Sequence, residues 1–520
     1  MRSPQACGLP RKFKEWRRGQ ERAARDLAFS DQRFNLICIP TGGGKTAVAM
    51  GYVGIEEDRA AYLTATRQLS DQVMDDFRSM GLKDIRGRLN YICDIDDSKD
   101  ASQAVCTGGV YCALMKGGCT YYDKQRVARE SRLVNTNYRY WLHAEESGGL
   151  GEFPILICDE AHRTPDEISD FAAVEVTEGE VRSFGLQPPP RAGRSKPGYW
   201  ASQSLHTLEI LASQQASVER RRSIKNMQRR LARLCRLSDE AWLASSPRGG
   251  IWRWDLIDPG ALAEELLFRG AKKIILVSAS IRRKTLQLLG VDDKVKVLEQ
   301  DSAFPVTQRP IYYWPVARPG RSMSSFEKRA WLGANATIIE PRMDRNGVIH
   351  SVSFDRAWEI FNALPQHQKR MTIIHKRGEA AADVFEEFVE RGKRRPTILI
   401  SPSVGTGVDF KYQIAEYQII PKVPFPDMSS PLVKARAKHD KEYIPYVTMQ
   451  TLVQNAGRPV RADDDHGETF ITDGNFGWLR GSHWDFAPRY FHAAVRTIDK
   501  DDTPPGPPPR LLTGGQRGGR

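Results

Sequence analysis

Residues 40–46 read PTGGGKT and follow directly on the apolar stretch FNLICI at residues 34–39. An apolar strand, a glycine-rich turn and a helix that begins near Lys45 are together typical of a phosphate-binding loop. The glycines let several backbone N–H groups point at one anion, while the Lys45 ammonium reaches the β- and γ-phosphates and the Thr46 hydroxyl binds Mg²⁺. The strict pattern has glycine or alanine where this chain has Ile39. We therefore expect a nucleoside triphosphate with Mg²⁺ on the residues of this loop: Thr41, Gly42, Gly43, Gly44, Lys45 and Thr46.

The composition indicates a large, basic protein of more than one domain. The chain has 520 residues, a hydrophobic content of 40% and a net charge of +13. Its length predicts about two to four domains, and its charge favours a polyanionic partner, nucleic acid before membrane. No apolar run approaches the roughly 18 residues that span a bilayer, and the basic N-terminus lacks the apolar segment of a signal peptide. We therefore expect no membrane partner and a cytoplasmic, intracellular location.

Short apolar stretches alternate with helical segments in two blocks of the chain. The first block includes the stretches at residues 36–39, 60–64, 154–158 and 273–277, and the second block covers residues 348–472. Such alternation is typical of parallel sheets that are covered by helices on both faces. The sequence therefore predicts an α/β fold with two similar domains.

An acidic motif follows one of the apolar stretches of the first block. Residues 159–162 read DEAH directly after PILIC. At the end of a buried strand, Asp159 can hold Mg²⁺, and Glu160 can polarise the attacking water. Together with the upstream phosphate loop, this motif predicts hydrolysis of the nucleotide, with Lys45, Asp159 and Glu160 as catalytic residues.

A third element lies far along the chain, where residues 454–461 read QNAGRPVR. Guanidinium groups placed against a γ-phosphate stabilise the charge that develops during phosphoryl transfer. We expect Gln454, Arg458 and Arg461 to sense the γ-phosphate from the second domain. The site is then complete only when the two domains close, and hydrolysis reopens them.

With these motifs in this order, the chain resembles the superfamily 2 helicases. Gln20 resembles the upstream glutamine that reads adenine in that family, so the resemblance implies ATP. The sequence TATR, from Thr64 to Arg67, resembles the motif that grips the nucleic-acid backbone, and these two residues are the implied nucleic-acid contacts. SAS at residues 278–280 resembles the S-A-T coupling motif with a serine in place of threonine, and GTGVDF at residues 405–410 resembles the G-x-D motif of the second domain.

Two insertions are similar to those of the XPD/DinG-like iron–sulfur helicases. GRLNYIC at residues 87–93 resembles the start of the cluster-binding insertion of that group, and CTYY at residues 119–122 resembles its end. The second insertion falls where the group carries its Arch domain. The resemblance implies two RecA-like domains with these limits: 1–81, 130–163 and 271–300 for the first domain; 82–129 for the Cys-rich insertion; 164–270 for a helical Arch-like insertion; 301–495 for the second domain; and 496–520 for a disordered tail.

Four of the eight cysteines are crowded into the first insertion, with the spacing Cys-x12-Cys-x5-Cys-x6-Cys. Structural zinc prefers close pairs of cysteines separated by about two to four residues. A 4Fe–4S cluster needs four thiolates and tolerates irregular spacing. We expect a 4Fe–4S cluster, with zinc or unliganded thiols as alternatives, at these four residues: Cys93, Cys106, Cys112 and Cys119.

The resemblance implies an ATP-dependent DNA helicase that moves 5′ to 3′ on single-stranded DNA and separates forked duplexes. Its contacts should fall mostly on phosphates, which makes binding independent of base sequence and sensitive to salt. One alternative is a nucleic-acid clamp or scaffold that ATP switches without strand separation, and another is an RNA helicase. We expect a monomer, and the sequence identifies no protein partner.

Overall fold

The computed structural model describes two compact units. They comprise Met1–Ala303 with Phe425–Gln450, and Phe304–Pro424 with Thr451–Arg520. Residues 425–450, which the sequence limits assign to the second domain, thus group with the first unit. The described residues are 3–108, 110–144, 149–190, 196–214, 217–291, 294–320, 322–403, 414–457 and 466–509.

Ten strands lie in the described part of the first unit. In chain order they are β1 (Phe34–Cys38), β2 (Ala60–Thr64), β3 (Lys83–Asp84), β4 (Leu133–Asn137), β5 (Ile155–Asp159), β6 (Val174–Thr177), β7 (Trp242–Arg248), β8 (Ile251–Leu256), β9 (Lys273–Ser278) and β10 (Val295–Glu299). Seven of them form a parallel sheet in the order β10-β1-β9-β5-β2-β4-β3. β1, β2 and β5 are buried along their whole length, as expected of strands covered on both faces.

Two apolar cores lie on opposite faces of this sheet. Leu36 and Cys38 of β1 belong to one core, whereas Ile37 and the following Ile39 belong to the other. Successive side chains of a strand point to opposite faces, so the apolar run of β1 serves both cores. In the described residues up to position 303, the α-helices are α1 (Gln20–Ala28), α2 (Lys45–Ile55), α3 (Arg67–Phe77), α4 (Thr120–Glu130), α5 (Tyr138–Ala144), α6 (Thr164–Ala172), α7 (Glu178–Ser183), α8 (Pro197–Gln214), α9 (Val218–Leu234), α10 (Gly260–Ala263) and α11 (Arg283–Gln287).

The second insertion combines helices with a small sheet. α8 and α9 accompany three antiparallel strands in the order β6-β8-β7. The sequence analysis predicted helices here and missed the sheet. The β7–β8 hairpin turns at Gly249 and Gly250, whose φ angles are 58° and 75°. Two consecutive positive φ angles favour glycine in a tight hairpin, so this glycine pair was the overlooked signal.

The second unit contains another seven-stranded parallel sheet. Its strands are β11 (Ile311–Ala317), β12 (Gly347–His350), β13 (Thr372–Ile374), β14 (Ile398–Ser401), β15 (Tyr417–Ile420), β16 (Glu468–Asp473) and β17 (Val495–Thr497). Their order is β13-β14-β12-β15-β16-β11-β17, and all pairs are parallel. The predicted α/β fold with two parallel-sheet domains is therefore confirmed.

Eight further α-helices follow in the described residues after position 303. They are α12 (Ser325–Ile339), α13 (Phe354–Ala363), α14 (Gln366–Lys369), α15 (Ala381–Gly392), α16 (Pro431–His439), α17 (Tyr443–Ala456), α18 (Asn475–Ser482) and α19 (Arg489–Ala494). Across the described ranges, no helix has both the length and the apolar character needed to cross a membrane.

Residues 496–509 differ from the disordered tail that the sequence predicted. β17 pairs with β11, and the guanidinium of Arg342 donates a 2.7 Å hydrogen bond to the carbonyl of Pro505. Arg342 is fully buried and also forms a 2.8 Å ion pair with Glu468. A proline has no N–H but keeps its carbonyl acceptor, so donors of the second unit can hold this proline-rich segment. The rest of the predicted tail lies outside the described residues.

Candidate nucleotide-binding site

The sequence motifs of the first unit follow strands whose carboxyl ends lie level with one another. Cys38 at the end of β1 pairs with Ser278 at the end of β9, and Asp159 at the end of β5 pairs with Val277. The phosphate loop, the SAS motif and the DEAH motif therefore leave the sheet along one edge. In open parallel sheets, the carboxyl edge is where ligands bind.

The phosphate loop has the backbone that its glycines predict. Gly42 and Gly44 have φ angles of 77° and 75°, and α2 begins immediately afterwards at Lys45. A side chain at Gly43 would place its Cβ 2.5 Å from Cγ2 of the buried Ile39. Ile39, the departure from the strict loop pattern, thus packs into the core below the loop and restricts position 43 to glycine.

Lys45 and Glu160 meet at this edge. The Lys45 Nζ atom lies 3.6 Å from Oε1 of Glu160. Glu160 has a φ of 48°, one of three positive φ angles among the described residues other than glycine. Such backbone strain is concentrated at functional sites. The strained turn brings the carboxylate of Glu160 toward the lysine of the phosphate loop.

Asp159 lies beneath Glu160 and is 3% exposed. Its Oδ2 accepts a 3.0 Å hydrogen bond from the Tyr62 hydroxyl, and its Oδ1 accepts a 2.9 Å bond from the backbone N–H of Glu160. The Tyr62 hydroxyl also lies 3.4 Å from Oγ1 of Thr46. Burial, and then the charge of Glu160, raise the pKa of Asp159 to about 6. Thr46 and Asp159 are therefore oxygen donors that share one neighbour, a set that suits a hard cation such as Mg²⁺.

A chain of hydrogen bonds connects the DEAH motif to the SAS motif. Nδ1 of His162 lies 3.4 Å from Oε2 of Glu160 and 2.9 Å from the Ser278 hydroxyl. The Ser280 hydroxyl donates a 2.9 Å bond to the side-chain oxygen of Gln450, whose amide nitrogen donates to the Ser280 carbonyl at 2.5 Å. This arrangement gives the SAS motif a partner, Gln450 in α17, that the sequence did not indicate.

Gln20 is held against the phosphate loop. Its Nε2 donates a 2.9 Å hydrogen bond to the Gly43 carbonyl, and its Oε1 accepts one from the Arg17 backbone N–H at 2.9 Å. The Arg17 guanidinium donates to the Gly42 carbonyl at 2.5 Å. Gln20 therefore lies against the phosphate loop with both polar atoms of its amide hydrogen-bonded within the protein, and its contact with adenine stays a prediction.

Sequence reasoning missed two buried tyrosines that hold Asp159. Tyr62 lies within β2, and the hydroxyl of Tyr138 donates a 2.8 Å hydrogen bond to the Asp159 carbonyl. Both tyrosines are 1% exposed. A buried tyrosine hydroxyl nearly always has a hydrogen-bond partner, so Tyr62 inside the apolar strand β2 was the available signal, whereas Tyr138 at the start of α5 carried none. The identity of the partner became visible only in the fold.

The two predicted nucleic-acid contacts differ in exposure. Arg67 is exposed at the start of α3. Thr64 is fully buried, and its hydroxyl donates a 3.2 Å hydrogen bond to the Thr136 carbonyl. The last position of β2 turns this side chain into the protein, so a side-chain contact by Thr64 does not fit the structure.

The predicted γ-phosphate sensors are only partly described. Gln454 lies in α17. Arg458, Arg461 and the G-x-D motif at residues 405–410 lie outside the described residues. The assignment of these residues therefore stays a prediction.

The four clustered cysteines lie in the Cys-rich insertion, and their thiols are free. Cys106 is 3.7 Å from the guanidinium of Arg88, and Cys112 is buried. Within the described residues, no three side chains of cysteine, histidine, aspartate or glutamate converge as metal ligands. The donor chemistry suits an iron–sulfur cluster, but the thiol positions in this conformation do not.

Two protein families match the chain. The DEAD/DEAH box helicase family matches residues 17–177, and the helicase C-terminal domain family matches residues 339–484. No curated relative matches in sequence.

The fold is similar to solved XPD structures. An XPD helicase has a TM-score of 0.61 and 13% identity, over 93% of this chain and 99% of that chain. Xpd4 of S. tokodaii has a TM-score of 0.57 and 12% identity, over 93% of this chain and 100% of that chain. At such low identity, the likeness concerns the fold.

Proposed function

We propose that this chain, which belongs to the superfamily 2 helicases of the XPD-like type, hydrolyses ATP to move 5′ to 3′ on single-stranded DNA and to separate forked duplexes. The observation that carries the proposal is the meeting of Lys45, Asp159 and Glu160 at the carboxyl edge of one parallel sheet. The set combines a lysine that binds phosphate with two carboxylates, one to hold Mg²⁺ and one to orient water. Hydrolysis of a nucleoside triphosphate needs these groups.

The phosphate loop binds the triphosphate of ATP. Backbone N–H groups from Thr41 to Thr46 and the start of α2 bind its oxygens. Lys45 neutralises the β- and γ-phosphates, and Gln20 reads the adenine. Because the loop glycines already have the required backbone in this structure, little reorganisation is needed when ATP binds.

Thr46 and Asp159 would hold Mg²⁺, which when bound neutralises charge on the phosphates as the γ-phosphoryl group leaves. Asp159 serves as a ligand in its ionised form. With a pKa of about 6, this carboxyl is mostly ionised at neutral pH. Tyr62 favours the ionised form because it donates a hydrogen bond to the carboxylate.

Glu160 orients the attacking water and accepts its proton as the bond to phosphorus forms. The carboxylate lies beside Lys45 and His162, so cationic or polar groups flank the place where the proton arrives. Gln454, Arg458 and Arg461 stabilise the charge on the γ-phosphate. His162 and Ser278 transmit the state of Glu160 to Ser280 and Gln450.

DNA is the proposed nucleic acid because both insertions resemble those of a DNA-directed group of helicases. Arg67, exposed at the N-terminus of α3, contacts a backbone phosphate, where its charge and the helix N-terminus both favour an anion. The limits proposed for these two insertions are residues 82–129 and 164–270. The protein acts as a monomer.

The four cysteines of the Cys-rich insertion hold a 4Fe–4S cluster, with a zinc ion as the alternative occupant of the site. Four thiols within one short insertion support this assignment. Since the thiols do not converge in the present conformation, binding requires a local rearrangement of the insertion. No step of ATP hydrolysis is assigned to the cluster. A broad visible absorption band in anaerobically purified protein supports iron–sulfur, whereas a colourless protein that contains zinc supports the alternative.

Strand separation and ATPase activity together test the proposed function. We expect single-stranded DNA to stimulate ATP hydrolysis at low salt, more strongly than RNA of the same sequence. A duplex with a 5′ tail should be opened, and one with a 3′ tail should not. Stimulated hydrolysis without any strand displacement would instead support the ATP-switched clamp, and an absence of stimulation by either nucleic acid would overturn the proposal.

A further inference from the structure

A cavity of about 650 Å³ lies between the second insertion of the first unit and His143 of α5. It shares no lining residue with the nucleotide site described above. One wall is a basic and polar face of α9, made of Arg220, Ser223, Asn226, Arg229, Arg230 and Arg233. We call this face the α9 stripe. A concave site with four arginines has the chemistry of a phosphate-binding surface.

Three of these arginines are anchored to main-chain carbonyls. Arg220 donates to the Ser183 carbonyl, Arg230 donates to the Glu175 carbonyl at 2.7 Å, and Arg233 donates to that of Phe171 at 2.5 Å. The Arg233 guanidinium also lies 4.0 Å from the centre of the Phe171 ring. A neutral carbonyl orients a guanidinium without cancelling its charge, and arginine stays protonated in proteins. The stripe is therefore positively charged and partly preorganised.

One carboxylate, Glu180, also lines the cavity. It forms an ion pair with Arg230, and it accepts a 2.9 Å hydrogen bond from the backbone N–H of Thr177 as part of the N-terminal cap of α7. Arg230 offsets its charge, and three further arginines of the stripe outweigh it. The balance of the cavity is therefore cationic.

The shape of the stripe indicates what kind of anion it suits. Arg233 is only 8% exposed, so the accessible part of the stripe runs from Arg220 to Arg230, 10 residues apart on one helix, which corresponds to roughly 15 Å. Ile224, Met227 and Leu231 on the neighbouring face are fully buried in the core, so α9 is fixed in its rotation. A row of this length is too long for one phosphate ion but accommodates several phosphates of a strand, which lie at least about 3.4 Å apart. Serine and asparagine between arginines are common donors to phosphate and sugar oxygens.

We propose that the α9 stripe binds successive backbone phosphates of a single nucleic-acid strand. The inference rests on the proposed function, in which the chain moves along a single strand. The stripe is then the surface of the second insertion that contacts this strand. Contacts to phosphates impose no base preference. The stripe thus adds affinity for a strand of any sequence.

Two double variants of α9 provide a matched test. Asn226→Asp with Arg229→Gln changes the charge of the stripe by two units. Arg221→Gln with Lys225→Gln makes the same change on the same helix, at exposed residues outside the cavity. All four substituted side chains are exposed, so folding should be preserved, and basal ATPase without nucleic acid should be unchanged. The probe is a fluorescent oligothymidylate, whose affinity is measured at several salt concentrations without nucleotide.

We expect the stripe variant to bind the oligonucleotide about tenfold more weakly and to lower the salt slope by roughly one contact, or about 0.7. The control variant should stay within about twofold of the wild type. An equal loss of affinity in both variants, or no loss in either, would overturn the proposal that the stripe binds the strand. So would displacement of the oligonucleotide by millimolar inorganic phosphate alone, which would indicate a site for a single anion, or binding of polyglutamate as tight as that of DNA.

These outcomes also separate the inference from the proposed function. If the oligonucleotide binds through the stripe but does not stimulate the ATPase, the inference about the stripe stands and the proposed function fails. If the ATPase is stimulated and the stripe variant binds the oligonucleotide like the wild type, the proposed function stands and the inference fails. If the wild-type protein binds no nucleic acid, both fail.

Discussion

The carboxyl edge of the first sheet and the Cys-rich insertion differ in how their motif residues are arranged. At the edge, side chains that are 116 positions apart in the sequence meet within hydrogen-bond distance, as His162 and Ser278 do at 2.9 Å. In the insertion, four cysteines within one short segment do not converge. Closeness in sequence therefore predicts less about closeness in space than strand register does.

The difference has a physical cause. The edge is fixed by parallel strands that are paired in register and buried on both faces. Before α4, the helices of the insertion are short 3₁₀ turns, such as Arg88–Asn90 and Ala113–Lys116, and the insertion leaves Leu89 75% exposed and Tyr111 69% exposed. A small segment with little apolar burial commonly depends on a bound metal group for its final conformation. The strand register thus holds the residues of the edge together without a ligand, whereas the four cysteines of the insertion do not converge without one.

The largest expected effect comes from Glu160→Gln at the preformed edge. The substitution keeps the size of the side chain and removes the proton acceptor, so kcat should fall by about 10²- to 10⁴-fold. Binding of ATP should persist because the phosphate loop is intact. Steady-state ATPase assays together with fluorescence titration of an ATP analogue measure the two quantities. Full turnover in this variant would show that Glu160 is not the group that orients and deprotonates water.

The next effect concerns the contact between Gly43 and Ile39. Gly43→Ala would place a Cβ 2.5 Å from Cγ2 of Ile39 and 3.0 Å from the Pro40 carbonyl. Overpacking of this kind costs about 1–3 kcal/mol, and we expect ATP affinity to fall about tenfold as the loop shifts.

A compensating substitution identifies the cause. Ile39→Ala removes Cγ2, so the double variant Ile39→Ala/Gly43→Ala should bind ATP more tightly than Gly43→Ala alone. Isothermal titration of each variant with ATP tests the coupling. Additive losses in the double variant would mean that Ile39 does not restrict position 43.

A smaller effect is expected from Tyr62→Phe. The Tyr62 hydroxyl lowers the pKa of Asp159 because it donates to the ionised carboxylate, while burial and Glu160 raise that pKa to about 6. Activity requires the ionised form, so kcat/KM should fall as the pH drops through the pKa of Asp159. Loss of the hydrogen bond raises this pKa, and the acid limb of the pH profile should move to higher pH. At pH 6 we expect a loss of about two- to fivefold, whereas an unmoved limb would separate Tyr62 from the ionisation of Asp159.

The sequence predicted the main motif residues of the carboxyl edge, but few of the residues that contact and orient them. PTGGGKT and DEAH carry their chemistry in local order, so Lys45, Asp159 and Glu160 could be named in advance. Tyr62 and Gln450 act through contacts across the fold, 97 and 170 positions away from their partners, and no local pattern identifies those partners. The stripe of α9 was visible as a run of arginines, but only the fold placed it along a cavity.

The smallest expected effect tests whether the two regions are independent. Cys112→Ser should abolish the visible absorption of an iron–sulfur cluster and leave the affinity of the phosphate loop for ATP within about twofold of the wild type. ATP affinity should be preserved because the edge is held by strand register, to which the insertion contributes no central strand. Cys235→Ser, an exposed thiol in the other insertion, is the control and should change neither property. If Cys112→Ser weakened ATP binding as much as Gly43→Ala, the edge would depend on the insertion, and its preformed character would have to be abandoned.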